Sequence, residues 1–126
     1  MNSKICVLDS SVWIEILGSG PRLQACQKEY ESASEIIVPT IVLYEVYKKI
    51  SEIVSEDQAL SAIAMMSQHK VLDLSQNVAL TAADISKEYK LPMADSFVLA
   101  HAKILCARLV TLDNDFAGID GVGVIH

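Results

Sequence analysis

Asp9, Glu45, Asp95 and Asp113 are spaced so that each falls where a strand ends or a helix begins. Asp9 closes the apolar run Ile5-Cys6-Val7-Leu8, and Asp113 follows Arg108-Leu109-Val110-Thr111. Both therefore belong at the carboxyl ends of strands, where open parallel sheets bind their ligands. Glu45 and Asp95 lie early in helical segments and can project toward the same edge. Crowded carboxylates repel, and their proton affinity rises unless a cation compensates. A hard divalent ion does so, taking oxygen ligands and commonly sharing them with a substrate phosphate. Such an ion lowers the pKa of an attacking water and stabilises charge building on a phosphodiester. Each acid alone has a plainer role: Asp9 in a turn, Asp95 complementing a helix dipole, Glu45 pairing with Lys49 one turn on. Two strand-end acids together weigh against reading all of them that way.

The elements that must position these acids follow from apolar spacing. The run Ile5–Leu8 is continuous, as a strand buried on both faces requires. Ser10 or Ser11 is placed to cap a helix carrying Val12, Trp13, Ile16 and Leu17, which Gly18-Ser19-Gly20-Pro21 breaks. A second helix is expected from Pro21 to Tyr30. Glu35-Ile36-Ile37-Val38 is a second strand closed by Pro39, and Thr40 is placed to cap a helix through Ser51. Ser55-Glu56-Asp57-Gln58 has capping-box spacing and opens a helix to about Gln68. A third strand over Val71 to Leu74 precedes a helix over Asn77–Tyr89, with Val78, Ala82 and Ile85 on one face. Pro92 suits the first position of a helix reaching Leu105, with Phe97, Val98, Ala102 and Leu105 inward. Arg108–Thr111 is the fourth strand and Gly121 to Ile125 the last. Strands alternating with helices predict an α/β fold around a central, mostly parallel sheet of four to five strands.

The chain of 126 residues fits a single domain spanning 1–126. A domain of this size buries roughly two thirds of its unfolded surface, so it needs no metal or disulfide to hold its core. Any metal would then be functional. The apolar stretches are too short and too interrupted to span a membrane. Met1-Asn2-Ser3-Lys4 leads into the first strand without the pattern of a secretory leader, so the expected location is cytoplasmic. Cys6, Cys26 and Cys106 are odd in number and far apart, and read as buried reduced thiols. With 16 acidic and 10 basic residues the formal charge is −6, opposite to the usual footprint of a nucleic-acid binder. A bound divalent cation answers that objection by supplying the positive field locally.

Taken in order, four segments resemble the motifs of the PIN domain family, and within it the small VapC-type toxins. Val7-Leu8-Asp9-Ser10-Ser11-Val12 resembles the family's opening strand and Asp. Pro39-Thr40-Ile41-Val42-Leu43-Tyr44-Glu45 resembles its proline-led helix with an inward Glu. Leu91-Pro92-Met93-Ala94-Asp95-Ser96-Phe97-Val98-Leu99-Ala100-His101-Ala102 and Arg108-Leu109-Val110-Thr111-Leu112-Asp113-Asn114-Asp115-Phe116 resemble the remaining two. Cys106-Ala107 occupies a turn where the family often has glycine, and Ser10 stands where Thr is common. The resemblance covers nearly the whole chain. It implies a PIN-like three-layer α/β/α fold and a Mg²⁺- or Mn²⁺-dependent endoribonuclease with Asp9, Glu45, Asp95 and Asp113 as its acidic site. Asp9 and Asp95 would be the principal metal ligands, joined by Asp113. Asp115, Thr111 and Ser10 are accessory candidates. It further implies a homodimer, an RNA substrate and a small cognate antitoxin.

Lys48 and Lys49 follow Glu45 by three and four positions and are candidates to meet RNA phosphates. His101, six residues after Asp95, points away from it on an ideal helix and reads as structural. Trp13 and Tyr44 are expected in core or dimer packing rather than stacked on bases. A housekeeping nuclease of RNA maturation and a non-catalytic PIN binding module are the alternatives within the fold. A phosphorylatable receiver module lacks its mid-chain strand-end Asp, and a two-aspartate phosphatase lacks the second acid where Ser11 stands.

Overall fold

The computed structural model describes residues 4–126, so Met1, Asn2 and Ser3, on which the leader expectation partly rests, lie outside the described residues. The elements run β1 (Ile5–Leu8), α1 (Ser10–Gly18), α2 (Leu23–Ser32), β2 (Glu35–Pro39), α3 (Thr40–Ile53), α4 (Glu56–Met66), β3 (Lys70–Leu72), α5 (Gln76–Tyr89), α6 (Met93–Ile104), β4 (Arg108–Thr111), a 3₁₀ turn (Asn114–Phe116) and β5 (Val122–Val124). The five strands form one sheet in the order β3-β2-β1-β4-β5. Every pairing in it is parallel. From β1 the chain steps outward through β2 to β3, then returns across the sheet to β4. Right-handed crossovers therefore place α1 to α4 on one face and α5 with α6 on the other, giving three layers. α3 packs on α4 and α5 on α6.

β1 and β4 are the central pair, and their residues show why continuous apolar runs were needed. Cys6, Val7, Leu8, Leu109 and Val110 are all fully buried beneath helices on both faces. Trp13 of α1 is also fully buried, its ring edge-on to Tyr30 at 5.8 Å between centroids. The Tyr30 hydroxyl and His69 Nε2 are hydrogen-bonded at 2.8 Å, which fastens α2 to the turn before β3.

Several boundaries differ from expectation for local reasons. Asp9, not Ser10 or Ser11, is the N-cap of α1, because its carboxylate already accepts the Ser10 amide. Pro39 occupies the N-cap position of α3 with no side-chain bond, and Thr40 is the first helical residue. α2 starts at Leu23, since Gly20 to Arg22 form a turn in which Glu15 accepts the Arg22 amide. β3 stops at Leu72 because Ser75 caps α5 by accepting the Val78 amide. In α6, Val98 and Ala102 are buried as expected, but Phe97 and Leu105 only partly. Cys106 is exposed rather than buried: it makes the αL turn from α6 into β4 at φ 53°. Tyr44 is likewise outside the core, 58% exposed.

Leu109→Ala, in the fully buried centre of the sheet, should cost about 2–5 kcal/mol in urea unfolding. Leu80→Ala, on the outer face of α5 and 61% exposed, should stay within about 0.5 kcal/mol of the parent.

Candidate active site

The chain's strand order reverses between β1 and β4, and the crevice at the carboxyl ends of such a pair is where this architecture accommodates ligands. Leu8 lies opposite Val110 in the ladder, and the Asp9 amide adds one more bond, to the Val110 carbonyl at 2.9 Å. Asp9 thus ends β1 and starts α1 beside the end of β4. Its side chain is 5% exposed, with Oδ1 accepting the Ser10 amide at 2.8 Å. Oδ2 accepts the hydroxyls of Ser11 at 3.1 Å and Thr111 at 2.8 Å.

Past β4, Asp113 Oδ1 accepts the Asp115 amide at 2.9 Å, which winds the chain into the 3₁₀ turn, and Phe116 anchors that turn in the core. The turn brings two acids alongside the first turn of α6. One carboxylate oxygen each from Asp95, Asp113 and Asp115 lies within 4.8 Å of the others. Pro92 is the N-cap of α6 rather than its first residue, and Asp95, three residues on, sits in the first turn, where the helix dipole favours its charge. Crowding works against that. Burial, and then the charges of Asp9, Asp113, Glu45 and Asp115, raise the Asp95 carboxyl from the ordinary range to about 7. Burial also raises Asp9, against the three hydrogen bonds it accepts. For Glu45, burial and the Asp9 charge push upward while the Ser10 side chain pulls the other way.

This arrangement fits a hard divalent cation. The donors are all carboxylate oxygens, and Glu45 Oε1 is shut off from solvent with no hydrogen-bond partner among the described residues. Nor does any described lysine or arginine neutralise the acids. The ion pairs among the described residues are Lys4–Glu29, Arg108–Glu29 and Lys87–Asp84, all elsewhere. The Glu45–Lys49 pair is therefore not formed. A crevice whose central carboxyl retains its proton near neutrality is short of positive charge, which a divalent cation would supply.

The model of the PIN domain matches residues 6–122. The chain belongs to the PIN domain family. No curated protein matches the sequence. Among solved structures, a toxin-antitoxin complex from Klebsiella pneumoniae is similar at 28% identity and TM-score 0.78, covering 94% of this chain and 96% of that one. VapC20 from Mycobacterium tuberculosis, described as a sarcin-ricin loop cleaving toxin, shares the fold at 15% identity and TM-score 0.76, covering 91% of this chain and 95% of that one. VapBC2 from Rickettsia felis, bound to a promoter DNA fragment, shares it at 18% identity and TM-score 0.74, covering 96% and 97% respectively.

On this PIN domain the acids expected from the sequence do meet at one end of the sheet. Asp115, expected in an accessory position, is in the tightest group with Asp95 and Asp113, whereas Asp9 lies deeper and more heavily hydrogen-bonded. Ser11 was foreseen only as a helix cap. Its place two residues past a strand-end Asp, at the start of a helix, was the available signal that it would turn back onto Asp9. His101 is 3% exposed on α6, where burial lowers its basicity, and it is outside the acidic group. Lys48 and Lys49 diverge: the Lys48 ammonium lies 5.9 Å from the Tyr44 ring centroid, while Lys49 borders an apolar groove between α1, α3 and α4.

Because the folded protein retains the Asp95 proton up to about pH 7 and the unfolded chain releases it near pH 4, metal-free stability falls as pH rises through that window. Asp95→Asn should match the parent near pH 4 and exceed it near pH 8 by about 2 kcal/mol, roughly half the full shift because the group is partly exposed. Urea unfolding of both proteins in chelator across this range measures it. A constant difference would show that Asp95 titrates as an ordinary solvated acid.

Proposed function

We propose that this PIN domain is a Mg²⁺- or Mn²⁺-dependent endoribonuclease, the toxin of a VapBC-type toxin-antitoxin pair. The carrying observation is the convergence of Asp95, Asp113 and Asp115, with Asp9 and Glu45 acting electrostatically on the same point, at the crevice between β1 and β4. PIN domains are nucleases, and such an oxygen-only set is suited to a phosphodiester held through a metal. A divalent ion bound there would supply an activated water and offset charge on the phosphate in the transition state.

The residues divide the remaining work. Asp9, Asp95 and Asp113 would hold the ion, with Asp115 on the same face. Glu45, half-buried beside Asp9, would orient an attacking water from the α3 side of the crevice. Ser10, through its amide, and Thr111, through its hydroxyl, hold the Asp9 carboxylate. Lys48, exposed beside Tyr44 one helical turn from Glu45, meets an RNA phosphate. The Klebsiella neighbour is a toxin-antitoxin complex, which supports a small antitoxin as partner of this chain. A homodimer and a cytoplasmic location complete the reading. Among the described residues no helix is long and apolar enough to cross a membrane.

Purified protein should cleave labelled structured RNA with Mg²⁺ or Mn²⁺ and not with EDTA. Asp9→Asn and Asp95→Asn should each lose at least the ~100-fold that removal of an outer ligand partner can cost. Full activity in both variants would overturn the assignment. Lys48→Ala should weaken RNA binding regardless of sequence and reduce the slope of log affinity against log salt by about 1.

A further inference from the structure

Two hydroxyls join Asp9 to the backbone that carries Asp113 and Asp115. Ser11 Oγ accepts the Leu112 amide at 3.1 Å and donates to Asp9 Oδ2 at 3.1 Å. Thr111 Oγ1 accepts the Asp113 amide at 3.0 Å and donates to the same oxygen at 2.8 Å. A backbone amide only donates, so each hydroxyl must use its lone pair there and turn its single proton toward Asp9. The direction of both bonds is thereby fixed.

The consequence for Asp9 is a count of lone pairs. Oδ2 accepts two hydroxyls and is fully used, whereas Oδ1 accepts only the Ser10 amide and keeps one lone pair. Thr111 is fully buried and Asp9 nearly so, which leaves little room for water to replace a lost hydroxyl. The Asp115 amide continues the same chain of bonds by donating to Asp113 Oδ1.

We infer that Ser11 and Thr111 are positioning residues for the cation site: together they leave Asp9 one open oxygen, Oδ1, and hold it in register with the turn bearing Asp113 and Asp115. The inference rests on the reading of these acids as a cation site. Outer partners of this kind orient ligating carboxylates, and their loss weakens the metal rather than the fold. A merely structural pair of hydroxyls would fasten β1 to β4 without affecting ion affinity.

The test is Mn²⁺ titration followed by the electron paramagnetic resonance signal of the free ion, with metal-free thermal melts alongside. The proteins are the parent, Ser11→Ala, Thr111→Val, Thr111→Ser and Asp95→Asn. Thr111→Val and Ser11→Ala should bind Mn²⁺ about 10-fold or more weakly while melting cooperatively without metal. Thr111→Ser, which keeps the hydroxyl, should stay near the parent. Parental affinity in both hydroxyl-deleted variants, or equal weakness of Thr111→Ser and Thr111→Val, would overturn the inference. If Thr111→Val does not fold, Ser11→Ala carries the same comparison. A parent that binds no Mn²⁺ would instead overturn the cation reading beneath it, so the two failures are distinguishable.

Discussion

Repulsion among carboxylates held in a partly buried crevice is the constraint around which this molecule is arranged. In water these acids would separate and ionise; here the backbone denies them that. Asp9 is fixed by the end of β1 and by its duty as the cap of α1. Asp95 is fixed in the first turn of α6, and Asp113 with Asp115 by the 3₁₀ turn that Phe116 anchors. The strain appears as a proton held on Asp95 to about pH 7. A fold can tolerate such a cost only if the rest of the core supplies the stability, and the fully buried β1 and β4 pair lies directly beneath.

The sheet order explains why the acids come from such distant parts of the sequence. β1 and β4 are neighbours although about a hundred residues separate them, because the chain builds outward through β2 and β3 before returning. The return through α5 and α6 deposits the N-terminus of α6 at the same end of the sheet. Glu45 arrives from the other face, one turn into α3 after Pro39 closes β2. Four connections thus deliver side chains to one edge with the acids themselves in ordinary backbone conformations, and of the four only the α5–α6 link uses a left-handed residue, Lys90 at φ 59°. The cost is carried instead by electrostatics, which a bound ion can relieve reversibly.

Much of this was legible because the signals were redundant. Ile5–Leu8 and Arg108–Thr111 are continuous apolar or β-branched runs that terminate in acids, and both strands were placed at their observed bounds. Ser55 announced its helix by capping-box spacing and does accept the Gln58 amide. Less legible were features in which one residue serves two elements. Asp9 takes the capping role that its serine neighbours seemed suited to, since a carboxylate already at the strand end needs no further turn of chain. Cys106 looked like one more apolar core residue, yet the geometry linking α6 to β4 requires a positive φ, which outweighed its preference for burial. Lys48 and Lys49 were equivalent by spacing, and only the packing of α1 and α4 against α3 separates them.

The formal charge of −6 then takes on a different meaning from the one composition suggests. A polyanion approaching the free protein would meet a crevice of like charge, which the protein's own basic residues do not neutralise there. On the proposed function, a bound cation would change that locally, because its charge is compact and would sit in a partly buried crevice. Substrate affinity and catalysis would then be coupled through one occupancy. On the same reading, phosphate contact at the crevice would depend on its being filled, and the hydroxyl bonds from Ser11 and Thr111 hold Asp9 in place in the interval. Without them, relaxation of Asp9 away from its neighbours would be the cheaper response to repulsion, and the site would have to be rebuilt each time an ion arrived.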